Sequence, residues 1–296
     1  MKIGIIGTGT MGKPMARNLL KAKFSVGIFA RHPEKAQDLK KEGARLLPSA
    51  AEVSRESDCI LLSLPFDPEV EEVVSGEKGV LAGASPGTVI LDTTTGSPRG
   101  AKKVAAEARG RGGGYLDAPI SGGYQGAIEG RLTFIVGGEE KELEKARPVM
   151  EKLGTNIFPV GPVGTGRAVK ALNQIIAALN TLTICETVVL GKKLGVSPRT
   201  FYEVLSHCAA NSYHLQTKLP HFIIPGKFDT GHRIEMMLKD LEIALQLAKE
   251  EKVSMLFTAL ATELYRAGSS AGYAGKDISA MCNFLGSFVG IDFPKT

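Results

Sequence analysis

Lys2-Ile3-Gly4-Ile5-Ile6-Gly7-Thr8-Gly9-Thr10-Met11-Gly12 is the stretch that decides the fold. An apolar run from Ile3 to Ile6 ends in a Gly-x-Gly-x-x-Gly pattern, and a helical pattern from Met11 to Lys21 follows at once. In a strand-turn-helix unit the first glycine permits the tight turn, the second lets a pyrophosphate approach the backbone, and the third packs helix on strand. The helix N-terminus then offers unpaired N–H groups to phosphate oxygens. The glycine pattern alone is weak, but a strand before it and a helix after it are the context the reading requires. Gly7, Thr8, Gly9, Thr10, Met11 and Gly12 are therefore the candidate dinucleotide-binding residues.

Working outward, short β-branched runs at Val26 to Phe29, Ile60 to Leu64, Val89 to Asp92, Tyr115 to Asp117 and Phe134 to Val136 alternate with amphipathic charged stretches. That rhythm predicts a parallel sheet with helices on both faces. After Gly166 the period changes from two to 3.6. Arg167 to Leu194 reads as one long helix, and further helical patterns lie at Phe201 to Cys208, Met237 to Glu250 and Leu256 to Arg266. The fold expected is α/β: an N-terminal Rossmann dinucleotide-binding domain, residues 1–163, followed by an all-helical domain, residues 164–296. Small-ligand pockets favour domain junctions, so the site is expected in the cleft between the two.

Composition narrows the function. The 296 residues are 43% apolar and 23% charged, an ordinary globular balance that excludes disordered and low-complexity classes. Thirty-six basic against 31 acidic side chains leave a formal charge of +5, which suits capture of small anions. With no Trp, and with no basic stripe interleaved by its 12 Phe and 6 Tyr, the chain lacks a stacking platform for nucleic acid. Cys59, Cys185, Cys208 and Cys282 show no Cys-x-x-Cys spacing and read as reduced cytosolic thiols. The N-terminal apolar run lacks signal-peptide character, and polar residues interrupt every apolar stretch before the ~18 residues of a membrane span. A cytoplasmic protein without membrane or metal partners is expected. His207, His214 and His221 recur every seven residues, but Pro220 breaks any single helix through them, so no metal site is read there. Met236-Met237 and Phe284 to Phe288 read as core or subunit contact.

The end of the second strand addresses the choice of dinucleotide. An NAD-preferring site places a carboxylate there, about 20 residues beyond the glycines, to bind the ribose hydroxyls. This chain has Ala30 at that point and Arg31 next to it, and a guanidinium suits a 2′-phosphate. NADP(H) is favoured, with NAD(H) left open because Glu34 lies near enough in sequence to reach a ribose.

Three further motifs complete the pattern. They are Asp117-Ala118-Pro119-Ile120-Ser121-Gly122-Gly123, then Gly164-Thr165-Gly166-Arg167-Ala168-Val169-Lys170 with Ala171-Leu172-Asn173, and finally Lys239-Asp240-Leu241. With the opening Gly7 to Leu20 segment, these resemble, in order and over essentially the whole length, the β-hydroxyacid dehydrogenase family. That family includes 3-hydroxyisobutyrate dehydrogenase, tartronate semialdehyde reductase and glyoxylate/succinic semialdehyde reductases. The resemblance implies an NAD(P)-dependent oxidoreductase that interconverts a short aldehyde acid and its β- or γ-hydroxyacid, and a homo-oligomer, dimer or tetramer, built on the long helix.

Each motif has a physical task. Ser121, Gly122 and Gly123 offer a hydroxyl and unobstructed backbone N–H groups to a substrate carboxylate. Lys170, one turn into the long helix, suits a general acid/base that exchanges a proton with the substrate oxygen. Asn173 lies on the same helix face three residues on, and would orient the substrate. Gln174 stands where 3-hydroxyisobutyrate dehydrogenases carry a second Asn, a variant closer to tartronate semialdehyde reductases. By resemblance, Leu64 and Pro65 supply backbone contacts to the cofactor, Thr95 or its neighbour Thr94 faces the nicotinamide side, and Lys239 helps close the site. Tyr124, Asn211, Ser212, Tyr213 and Glu235 are candidates for discriminating substrates.

Two alternatives are carried. Oxidative decarboxylation of the 6-phosphogluconate dehydrogenase kind uses the same dinucleotide domain and motif lysine, but with a longer helical domain and a histidine near the lysine, where this chain has Asn173. A non-catalytic dinucleotide-binding module would have lost the lysine. Imine reductases share the architecture and replace that lysine, so Lys170 counts against them.

Overall fold

The decisive stretch folds as strand β1 (Lys2–Ile6) running into helix α1 (Gly12–Lys21). This computed structural model describes residues 1–294 and divides into one unit, Met1–Lys170, and a second from Ala171 onward.

In the first unit, β1 is joined by β2 (Ser25–Phe29), β3 (Arg45–Leu46), β4 (Cys59–Leu62), β5 (Val89–Asp92), β6 (Gly114–Asp117), β7 (Ile120–Ser121), β8 (Leu132–Gly137) and β9 (Gly154–Gly161). Their order is β3-β2-β1-β4-β5-β6-β8-β7, with β9 against β8. From β3 to β6 every pairing is parallel. Every residue of β4, β5 and β6 is buried, which explains their continuous apolar runs.

Helices cover both faces, as expected. They are α1, α2 (Gln37–Lys41), α3 (Ala50–Arg55), α4 (Asp67–Ser75), α5 (Val80–Gly83), α6 (Pro98–Gly110), α7 (Gly123–Glu129) and α8 (Glu140–Met150). Ile3, Ile5, Leu61 and Leu91 pack with Met15 and Leu19 of α1 in one buried cluster. Ile60, Leu62 and Ile90 turn to the other face, toward Val70 and Val74 of α4 and Val104 of α6.

Parallel pairing does not extend across the whole sheet. β8 runs antiparallel to β6 and β7, because the short return through α7 supplies no crossover long enough for a parallel neighbour. β9 then pairs parallel to β8. β3, β7 and β9 are absent from the sequence reading: two are two-residue strands, and β9 is a mostly exposed strand that contains Pro159. β4 ends at Leu62, so Leu64 and Pro65 lie in the following loop.

Helix α9 (Thr165–Lys193) matches the predicted long helix within two residues at its start. Its length and composition alone would suffice to cross a membrane, but 56% of its most apolar window is buried inside the protein, as in a core helix. In the second unit it packs with α10 (Pro198–Leu205), α11 (Tyr213–Lys218), α12 (Ile234–Glu250), α13 (Leu256–Gly268) and α14 (Met281–Ser287). Ala178, Cys185, Leu219, Leu241, Tyr265 and Met281 are central to that core. The described residues of this unit hold no strand, only an isolated bridge between Arg233 and Asp277. Pro220, read as a breaker, sits in a π-helical turn, Leu219–Ile223, that continues directly from α11.

Candidate active site

The glycine turn is built as the dinucleotide reading requires. A Cβ at residue 12 would run into the Gly7 carbonyl oxygen, whereas one at residue 9 would meet only open space. The loop is thus tight where helix meets strand and bare where a pyrophosphate would lie. No side chain caps the N-terminus of α1; the Lys13 amide donates to the Gly9 carbonyl at 3.1 Å and Pro14 has no N–H, so the amides an anion can use are those of the turn up to Gly12. The residues present fit the cofactor on this observation. Beside Thr8, Gly9 and Thr10 an open groove of about 610 Å³ extends past Glu34 and Lys35 to Tyr124. Lys13 and Arg17 flank it and are both held by Asp38, at 2.9 and 2.6 Å.

Arg31 follows the half-buried Ala30 at the end of β2 and is largely in solvent, with Glu72 of α4 at 3.6 Å. His32 and Glu34 face each other at 3.4 Å. At the ends of β4 and β5, the Leu64 amide donates to Thr94 Oγ1 at 3.2 Å, and the Thr93 hydroxyl donates to the Leu62 carbonyl at 2.6 Å. Thr94 is buried in this tie, while Thr95 is half-buried and Pro65 is exposed.

Ser121 pairs with Thr133 across β7 and β8. Gly122 and Gly123 have φ of 118° and 65°, a left-handed pair that bends the backbone after Ser121. Successive amides in such a bend form an anion-binding concavity.

Asp117, at the end of β6, organises the start of α9. One carboxylate oxygen accepts the Gly164 amide and the other the Arg167 amide, both at 2.8 Å. Burial pushes its carboxyl up to about 6, against the pull of those two hydrogen bonds. Lys170 follows one turn later, 7% exposed. Asn173 is exposed on the next turn and donates to Gln174 Oε1 at 2.9 Å. The Gln174 amide is buried and donates in turn to Asp240 Oδ2 at 2.6 Å. Lys239 lies 3.1 Å from Asp240 Oδ1, and His232 Nε2 is 3.5 Å from Asp240 Oδ2. Asp240 therefore gathers Gln174, Lys239 and His232 into one polar cluster of the helical unit.

Two buried ionic groups escape sequence reasoning. Arg167, 1% exposed, pairs with Asp67 at 2.7 Å and Asp92 at 2.6 Å, and Tyr115 donates its hydroxyl to Asp92 at 2.6 Å. Burial opposes the Arg167 charge, but Asp92, Tyr115 and Asp67 raise its affinity for the proton above the ordinary value. The second group is Lys218 and Asp277, 2.6 Å apart, with Ser279 donating to the other Asp277 oxygen. An arginine in the first turn of an apolar helix, with Asp92 and Asp117 both at strand ends, was the available signal for the first group.

Among the remaining candidates, Tyr124 lines the groove, Ser212 caps α11 through the Leu215 amide, Tyr213 is exposed, and Glu235 pairs with Arg233 at 2.8 Å. His207 lies in the turn after α10, whereas His214 and His221 share the continuous stretch of α11 and its π-helical extension, which Pro220 does not break. All four cysteines are free thiols, and only Cys208 is exposed.

A largely parallel Rossmann sheet with this cradle, followed by a helical region, defines a nicotinamide-dinucleotide oxidoreductase. Residues 2–161 match the family model described as the NAD binding domain of 6-phosphogluconate dehydrogenase, and residues 164–285 the one described as NAD-binding of NADP-dependent 3-hydroxyisobutyrate dehydrogenase. The chain is 38% identical to 2-(hydroxymethyl)glutarate dehydrogenase of Eubacterium barkeri over 98% of its own length and 97% of that protein's. It is also 38% identical to 2-hydroxy-3-oxopropionate reductase of Escherichia coli, over 96% and 97% respectively. Among solved structures, 3-hydroxyisobutyrate dehydrogenase of Mycobacterium tuberculosis with L-serine superposes with a TM-score of 0.85 at 32% identity, covering 96% of this chain and 98% of that one. The chain belongs to the β-hydroxyacid dehydrogenase family and is an NAD(P)-dependent hydroxyacid dehydrogenase.

Proposed function

We propose that the protein interconverts a short aldehyde acid and its β- or γ-hydroxyacid, with Lys170 as general acid/base. The observation that carries this reading is the burial of Lys170 one turn into α9, behind a helix start fixed by both oxygens of Asp117. The dinucleotide, when bound at the glycine turn, supplies or accepts the hydride. Lys170 donates a proton to the aldehyde oxygen during reduction and takes it back from the alcohol in reverse. Asn173, on the same face one turn later, orients that oxygen, while Ser121 and the Gly122 and Gly123 amides hold the carboxylate. Gln174, fastened to Asp240, keeps the Asn173 amide turned to its task. Lys239 acts on the cofactor side.

NADP(H) is the favoured cofactor, supported by Ala30 where a ribose-binding carboxylate would stand and by the exposed Arg31 beside it. The cofactor-directed part is residues 1–163 and the substrate-directed part residues 164–296. A homo-oligomer in the cytoplasm is the assembly proposed, supported by the exposed apolar side chains of Leu256, Phe257 and Leu260 on α13. Light scattering of the purified protein tests it: a monomer at micromolar concentration removes the proposal.

Nicotinamide oxidation is the decisive assay, run with NADPH or NADH against glyoxylate, tartronate semialdehyde, methylmalonate semialdehyde and succinic semialdehyde. The 2-hydroxy-3-oxopropionate reductase relative and the Asn173-Gln174 pair point to tartronate semialdehyde as the first substrate to try. Turnover on one of these that drops about 10²- to 10⁴-fold in Lys170→Ala supports the reading. A Lys170→Ala variant as fast as the parent removes it.

A further inference from the structure

We propose that Arg167 is a positioning residue that locks the cofactor-side strand ends to the helical turn carrying Lys170; this deepens, and rests on, the assignment of Lys170 as the acid/base. The Arg167 side chain is wholly buried. Its Nη1 donates to Asp67 Oδ1 at 2.7 Å and to the Ser97 carbonyl at 3.0 Å, and its Nη2 donates to Asp92 Oδ2 at 2.6 Å. The Arg167 backbone amide is meanwhile held by Asp117.

Where these partners sit gives the contacts their meaning. Asp67 opens α4 directly after the Leu64-Pro65-Phe66 loop. Asp92 closes β5 directly before Thr93-Thr94-Thr95, and its other oxygen accepts the Thr94 amide at 2.9 Å. One planar guanidinium thus spans two loops assigned to the cofactor and belongs to the same helix as Lys170, three residues upstream. The approach is close enough that a Cβ at residue 96 would strike both Asp67 and Arg167, so Gly96 keeps the space open.

Buried ion pairs stabilise little compared with apolar packing of the same volume. What this one supplies is geometry: the fork fixes two directions at once, which the single ammonium of a lysine does not. Reaction geometry is sensitive on the scale that such a fork controls.

The test measures kcat, KM, the cofactor Kd by nicotinamide fluorescence, and Tm for Arg167→Lys, Asp67→Asn and the double variant. We expect kcat of Arg167→Lys to fall about 10- to 100-fold with a weaker cofactor Kd. Asp67→Asn should show a smaller loss of the same kind, and adding it to Arg167→Lys should change kcat no further, since the two act through one contact. A lowered Tm with parent-like kcat and Kd, or losses that multiply independently in the double variant, overturns the proposal. Asp67 is partly exposed, so Asp67→Asn remains a usable probe if Arg167→Lys does not fold, and parent-like kcat and Kd in that variant alone also overturn it. Lys170→Ala is run alongside: parent-like turnover there ends the lysine assignment, while the cofactor Kd of Asp67→Asn still reports on the Arg167 lock.

Discussion

Asp117 and His214 show how burial turns individual side chains into pH-dependent terms of opposite sign. The Asp117 carboxyl titrates near 6 in the folded protein against an ordinary 3.8, because burial penalises its charge more than two backbone N–H groups relieve it. Between those values the folded state holds more protons than the unfolded one. The stability contributed by Asp117 is therefore complete below about 4 and is lost as pH rises through about 6, by about 3 kcal/mol in all. Burial, with Lys218 nearby, lowers His214 to about 4 from an ordinary 6.5, and its Nδ1 sits 2.8 Å from the Thr181 hydroxyl, which itself donates to Ala177. Here the unfolded state holds the extra proton, so stability rises with pH from about 4 to 6.5. Asp117→Asn should remove the loss between pH 4 and 6, and His214→Gln the gain between pH 4 and 6.5; denaturant titrations at pH 4, 5, 6 and 7 compare each variant's slope with the parent's. A parent-like pH slope in either variant refutes that residue's assignment. At this scale the sequence was uneven. Ser121 and Lys170 lie in motifs and could be read as candidates, whereas the partners of Arg167 come from positions as distant as Asp67, and only folding brings them together.

Element by element, what could be read was whatever a local period or a turn rule dictates. The β1-turn-α1 unit was legible because its glycines answer to backbone geometry, and α9 because a long 3.6 period has no strand alternative. β9 was hidden because a mostly exposed strand at the margin of the sheet carries no alternation of apolar side chains. The antiparallel turn at β8 depends on which edge the chain returns to, and no period encodes that. The glycine turn makes its own prediction. Gly12→Ala places a methyl against the Gly7 carbonyl oxygen, so the turn must open or the helix must shift. The expected outcome is a loss of about 1–3 kcal/mol in stability, as for other overpacked sites. A cofactor Kd weakened at least tenfold should accompany it, read by titration. Stability and affinity equal to the parent's would mean that the turn is not the rigid cradle described.

At the scale of the whole molecule, a charge of +5 on 296 residues is too small to draw anions from a distance by itself, so steering depends on where the cations sit. Lys13, Arg17 and Lys35 line the groove beside the glycine turn, but Asp38 and Glu34 line it too, and Asp38 engages both Lys13 and Arg17. Arg31 differs from these: it is 64% exposed, and Glu72 stands 3.6 Å away, beyond hydrogen-bond distance. Salt shortens the reach of such a charge from about 30 Å at 0.01 M to about 10 Å at 0.1 M. If Arg31 serves the 2′-phosphate, NADPH carries an additional anionic group to the same cation that NADH lacks. kcat/KM for NADPH should then fall several-fold over that salt range and more steeply than kcat/KM for NADH, and Arg31→Ala should bring the two slopes together. Steady-state rates at four ionic strengths decide the matter, because parallel slopes in the parent protein would show that Arg31 does not recognise the 2′-phosphate.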